Sequence, residues 1–163
     1  MRVDRFQTPH VIVGRSGRLP SLIVVHTTDG TFEGTVDWFS RAESEVSAHY
    51  LVGLDGRVAQ FVDEADGARH AGRVHEPAVL LPGPDPNLDS IGLEFEDGRD
   101  PEGAVRGEAQ YRAGARLIRE SAARWGIPLD RGHVVGHREI YAPKRCPGNL
   151  DVDRLVREAR DGS

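Results

Sequence analysis

The chain has 163 residues, enough for one domain with its own core and too few for a second. Its net charge of −5, from 21 basic and 26 acidic residues, excludes the basic footprint of a nucleic-acid binder. An apolar fraction of 38% with Gly 19 and Pro 10 argues for a loop-rich α/β or α+β fold over a helical bundle, and the single cysteine, Cys146, excludes an intrachain disulfide.

Residues 1–20 read as a polar arm lying on the domain, with the core at 20–158 of a single domain spanning 1–163. No apolar run of seven or more occurs near the N-terminus, so the chain is expected to lack a signal peptide and to be made in the cytoplasm. No segment reads as a membrane span, and a monomer is expected. The continuous apolar run at 22–25 predicts a buried central strand ending at His26. A short helix is predicted over 35–42, a strand over 48–52, a turn at Asp55 and Gly56, and a return strand over 58–62. Residues 63–89, with Pro77, Pro82, Pro84 and Pro86, predict a long loop. Alternation of Ile91, Leu93 and Phe95 against Gly92 and Glu94 predicts a strand over 90–95.

The clearest helix is predicted over 108–125. Tyr111, Ala115, Ile118, Ala122 and Trp125 form its apolar face, and Gly126 follows as a stop. A short strand at 133–136 leads into a proline-containing loop over 137–150. Asp151 is placed to cap a last helix whose inner face is Val152, Leu155, Val156 and Ala159.

A catalytic zinc site uses three protein donors that converge on one point and leaves the fourth position to water. His26 ends the first core strand, His137 follows the strand at 133–136, and Cys146 lies in the loop beyond, as His137-x8-Cys146. Seven histidines allow many other pairings, so donor chemistry alone leaves the set open. A core imidazole and a small buried thiol are the plain alternatives. One observation bears on Lys144: twenty of the 21 basic residues are Arg, and the single Lys stands two positions before Cys146. The plain alternative for it is an exposed surface side chain.

The segments VVHTT at 24–28, SAHYLVGLDG at 47–56, RHAG at 69–72, SIGLEFED at 90–97 and GHREIYAPKRCPG at 136–148 occur in one order. Together they resemble the zinc N-acetylmuramoyl-L-alanine amidase family, over roughly residues 20–158. That family also contains the peptidoglycan recognition proteins and phage amidases. The resemblance implies an α/β fold with a central mixed sheet flanked by helices and a Zn²⁺ site in a surface groove. It implies that His26, His137 and Cys146 hold the zinc and that Lys144 polarises the scissile carbonyl. Glu94 matches a proton-handling carboxylate, with Glu96 as a rival of the same alternation. His49 and His70 match groove-lining positions, for substrate contact or structural hydrogen bonding.

The implied partner is peptidoglycan or a muropeptide, cut between N-acetylmuramic acid and L-alanine, and the setting expected is a phage-type endolysin acting on the cell wall. A cytoplasmic recycling amidase and a non-catalytic peptidoglycan-binding domain are the alternatives. One departure weakens a tyrosine-based mechanism. Relatives with a catalytic Tyr carry it just before the histidine of the second strand, where this chain has Ala48, and Tyr50 lies on the far side of His49.

Overall fold

A computed structural model of the chain describes residues 2–72, 74 and 83–162. Eight strands alternate with five α-helices: β1 (Val3–Arg5), β2 (Val11–Ile12), β3 (Leu22–Thr27), α1 (Phe32–Ser40), β4 (Tyr50–Val52), β5 (Val58–Gln60), β6 (Gly67–Ala68), α2 (Pro86–Asp89), β7 (Ser90–Phe95), α3 (Glu108–Trp125), β8 (Val134–Gly136), α4 (His137–Ile140) and α5 (Val152–Asp161). Six of the strands form one mixed sheet in the order β1-β5-β4-β7-β3-β8, and β2 pairs with β6 in a small antiparallel ribbon. Strands β4, β7, β3 and β8 run parallel, while β5 is antiparallel to β4. The expected α/β architecture, a central mixed sheet flanked by helices, is the one observed.

The two sheet faces do different work. Period-two alternation sends Ile23 and Val25 of β3, and Ile91, Leu93 and Phe95 of β7, to one face. There they pack against Ala115 and Ile118 of α3 and Leu155 of α5 in the larger core. Helix α3 has the bounds its apolar spacing predicts. It stops at Gly126, whose φ of 69° suits a residue without Cβ. Asp151 Oδ1 accepts from Arg154 N at 2.8 Å and so starts α5 as expected. The opposite face carries Val24, His26, Gly92 and Glu94. It is covered more thinly, by α4 and by the cluster in which Phe32 and Phe39 of α1 meet Leu51 and Ala59.

Several expectations change, among them the loop over 137–150, which opens with α4. The arm at 1–20 is not irregular throughout, because β1 extends the main sheet beside β5 and β2 pairs with β6. Helix α1 begins at Phe32, not at residue 35, because Thr31 Oγ1 accepts from Gly34 N and the Glu96 carboxylate accepts from Phe32 N. The loop over 63–89 contains β6 and α2. Within that expected loop, residues 73 and 75–82, including His75, Pro77 and Pro82, lie outside the described residues. Among the described residues no helix is long and apolar enough to cross a membrane.

Candidate metal centre and active site

Parallel strands present their carboxyl ends together, and side chains that do chemistry gather there. His26 sits near the end of β3, directly across the register from Glu94 of β7. His137 opens α4 immediately after β8. That junction is pinned by Glu139, whose Oε2 accepts from Gly136 N at 2.6 Å while Arg131 Nη2 donates to both carboxylate oxygens at 2.7 Å. The chain then turns back so that Arg138 N donates to the Cys146 carbonyl at 2.9 Å, which brings Cys146 beside the two histidines.

His26, His137 and Cys146 are the one group of potential metal donors found among the described residues, each offering a ligand atom within 4.8 Å of the others. The Nδ1 atoms of His26 and His137 stand 3.0 Å apart. Thr27 N donates to Cys146 Sγ at 3.1 Å. Burial holds the His26 imidazole well below its ordinary range, with further lowering from His137, His70 and Lys144. Burial, then Lys144, lowers His137 to about 4. Both rings are therefore neutral at physiological pH, as metal donors must be. Burial, then the nearby Glu94, pushes the Cys146 thiol up to about 12, against the pull of the Thr27 contacts and Lys144. Without a cation the thiol keeps its proton; a divalent ion would displace it. Two neutral imidazoles and one displaceable thiol, with three donors and not four, fit a catalytic zinc ion.

Glu94 completes the arrangement. Its Oε2 is buried and has no hydrogen-bond partner among the described residues. Burial, then Asp97, raises its carboxyl to about 8, with Lys144 pulling the other way. A cavity of about 410 Å³ opens beside it, lined in part by Trp38, Arg69, His70 and Arg99. A second depression shares His70 with it and is lined by His137, Tyr141 and Lys144. Lys144 is exposed on the turn between α4 and Cys146, where Lys144 N donates to the Tyr141 carbonyl at 3.0 Å.

The neighbouring carboxylates are committed elsewhere. Glu96, past the end of β7, accepts from Phe32 N at 3.0 Å and Leu54 N at 2.9 Å. Asp97 is buried and accepts from Asp29 N and Gly30 N, which fixes the turn after β3. Tyr50 belongs to the core on the opposite sheet face, where its hydroxyl donates to Glu64 at 2.9 Å, so it cannot serve this site.

The two other candidate histidines, His49 and His70, part company. His70 lies on the wall of both cavities. His49 is fully buried and lines neither, an arrangement that suits the structural hydrogen-bonding alternative. Gly92 N donates to its Nδ1 at 2.9 Å, and its Nε2 lies 3.0 Å from the Asp66 carbonyl and 2.7 Å from Arg15 Nη2. Arg15, absent from the sequence expectations, lies buried beside it. Its guanidinium donates to the carbonyls of Glu64, Leu88 and Ser90 and so ties the segment before β3 to the strands that carry the site.

A stability prediction follows from Glu94. Below its ordinary value of 4.5 the carboxyl is protonated whether folded or unfolded. As pH rises from there to about 8 the unfolded chain gives up that proton and the folded chain does not, so folding is increasingly disfavoured. In metal-free protein, Glu94→Gln should raise the melting midpoint most at pH 8 and hardly at all at pH 5. Each ~1 kcal/mol regained moves the midpoint by roughly 2–4 °C in a chain of this size. Melting curves at the two pH values check it, and an equal gain at both would contradict the buried-carboxyl account.

Comparison with known proteins agrees with this geometry. The model of the family described as N-acetylmuramoyl-L-alanine amidase matches residues 16–149. The chain is 34% identical over 108 residues to N-acetylmuramoyl-L-alanine amidase A of Achromobacter lyticus, a match covering 66% of this chain and 54% of that protein, so about half the length of that relative is spanned. It is 31% identical to the 1,6-anhydro-N-acetylmuramyl-L-alanine amidase AmpD of Salmonella typhimurium, over 86% of this chain and 80% of the relative. A crystal structure of a selenomethionine AmpD derivative superposes with a TM-score of 0.76 at 26% identity, covering 94% of this chain and 92% of the other. The matched segment runs from before His26 to beyond Cys146, so it takes in each donor of the cluster together with Glu94 and Lys144. On this match, the chain belongs to the N-acetylmuramoyl-L-alanine amidase family.

Proposed function

We propose that this chain hydrolyses the amide between the lactyl group of N-acetylmuramic acid and L-alanine, using a zinc ion held by His26, His137 and Cys146. The observation that carries the reading is the convergence of those donors beside a buried Glu94 carboxylate oxygen that has no hydrogen-bond partner among the described residues. Zinc supplies a Lewis acid that makes water acidic enough to act as a nucleophile near neutral pH. Glu94 takes the proton of the attacking water and later passes it to the leaving amine. Its raised affinity for protons suits a group that must both accept and donate near neutrality. The Lys144 ammonium, a compact charge on an exposed turn, stabilises the developing oxyanion.

Removing that charge should cost roughly 10²-fold or more in turnover in Lys144→Ala, with zinc content and melting midpoint unchanged. Steady-state rates check it; near-normal turnover would return Lys144 to an ordinary surface role.

Two substrate sizes suit the same chemistry. One is the intact wall, the endolysin setting. The other is a soluble muropeptide, which the similarity to AmpD over most of both chains favours. The test is incubation with purified sacculi and, separately, with a soluble anhydro-muropeptide, with products identified by mass. Release of a free L-alanine N-terminus supports the amidase reading, and the substrate that yields it sets the size. No cleavage of either by zinc-loaded protein, with retention on sacculi, would replace the reading with peptidoglycan binding alone.

A further inference from the structure

His70 is not among the donor cluster, yet its Nδ1 lies 2.9 Å from Nε2 of His26, the nitrogen turned away from His137. Its own Nε2 lies 3.2 Å from Ser90 Oγ, which in turn lies 2.6 Å from the Pro86 carbonyl. The direction of each bond in this chain can be assigned. A carbonyl only accepts, so the Ser90 hydroxyl gives its single proton to Pro86. Ser90 Oγ must then accept from His70 Nε2–H. A neutral imidazole carries one N–H, so His70 Nδ1 is a lone pair and accepts from His26 Nε2–H. That leaves the lone pair of His26 on Nδ1, facing His137.

The backbone makes room for this arrangement. A Cβ at Gly92 would lie 2.4 Å from His70 Cγ, so the ring rests directly on β7 where only glycine admits it. Gly92 N is itself held by His49 Nδ1.

We infer that His70, directed by Ser90 and seated on Gly92, is a positioning residue that fixes His26 as the Nε2–H tautomer and so presents its Nδ1 as a metal donor. Metal-bound histidines ordinarily give their second N–H to a carboxylate, a backbone carbonyl or water. Here a second imidazole takes that part, and its own orientation is set by Ser90 and Pro86. The inference rests on the zinc reading above for its consequence, though not for its first measurement.

That measurement uses metal-free wild-type protein. Long-range ¹H–¹⁵N spectra near pH 7 should show His26 as the Nε2–H tautomer and His70 likewise. His26 in the Nδ1–H form would overturn the inference with no variant needed, whatever the fate of the zinc reading. The second measurement is zinc affinity by competition with a chromophoric chelator. His70→Phe keeps the ring bulk and removes the acceptor, so it should weaken zinc binding roughly 10–100-fold. His70→Gln can accept from His26 and donate to Ser90, so it should bind zinc within a few-fold of wild type. Ser90→Ala should let the His70 tautomer mix and weaken zinc less than His70→Phe does. If His70→Phe binds zinc like wild type, or if Phe and Gln weaken it equally, His70 does not act through an acceptor and the relay is wrong. A wild-type protein that binds no zinc at all would overturn the zinc reading, while the tautomer result would stand by itself.

Discussion

Cys146→Ala and His26→Ala proteins should each emerge from purification with little or no zinc, where wild type carries about one ion per chain. Muropeptide hydrolysis should be lost along with the metal. Three donors would hold the ion in the proposed site, and among the described residues the cluster contains no fourth thiol or imidazole. Removing one donor leaves a pair, too few to retain the ion through dialysis. The effect should extend beyond catalysis. Zinc that binds the folded chain and not the unfolded one stabilises it by mass action, about 2.7 kcal/mol at a hundredfold excess over Kd. Wild type should therefore gain melting temperature on adding zinc, and Cys146→Ala should not. The gain should also depend on pH, because loading must expel the proton of a thiol that burial holds up at about 12. Chelation of wild type should abolish turnover and added zinc restore it. Elemental analysis decides the assignment: unchanged zinc content in both variants would sink it.

Parts of the molecule were legible in the sequence because they are specified locally. Strand β7 and helix α3 were read with their observed bounds, the first from strict alternation, the second from an apolar stripe ended by Gly126. The convergence of His26, His137 and Cys146 could be anticipated too, because His26 and His137 stand where strands end and the surrounding motifs recur in a known order. What escaped depends on distant partners. Strand β1 has three residues and little apolar content, and it is a strand only because β5 lies beside it. Arg15 looks like an ordinary surface cation, and only the assembled fold surrounds it with three backbone carbonyls. The prolines over 63–89 predict loop, yet Pro86 stands at the first turn of α2 behind the Asp85 cap, where a missing N–H costs nothing. His49 and His70 looked equivalent as histidines matching groove positions. Burial and the hydrogen bond from Gly92 N hold His49 in the interior, while His70 lies against His26.

Glu94→Gln should lower turnover by at least about 10²-fold with zinc retained, and Glu96→Gln should leave turnover close to wild type. The two carboxylates share an alternation pattern, so sequence left them as rivals, but they meet different partners. Glu94 has a buried oxygen with no partner among the described residues, next to the donor cluster and a cavity. Glutamine there keeps the size and cannot carry the proton. Glu96 spends one oxygen on Phe32 N and the other on Leu54 N. Glutamine keeps a single acceptor, so one of those backbone N–H groups loses its partner at a cost of about 1–3 kcal/mol. The variants should therefore separate on two axes. Glu94→Gln is nearly inactive and, metal-free at pH 8, more stable than wild type. Glu96→Gln is active and less stable than wild type. Rates on a soluble muropeptide, zinc content and melting curves on both proteins measure this. A zinc-loaded Glu96→Gln that is inactive while Glu94→Gln turns over would transfer the proton-carrying role to Glu96. Full activity in both would leave neither carboxylate as the proton carrier and would require a chain of waters to reach the leaving amine.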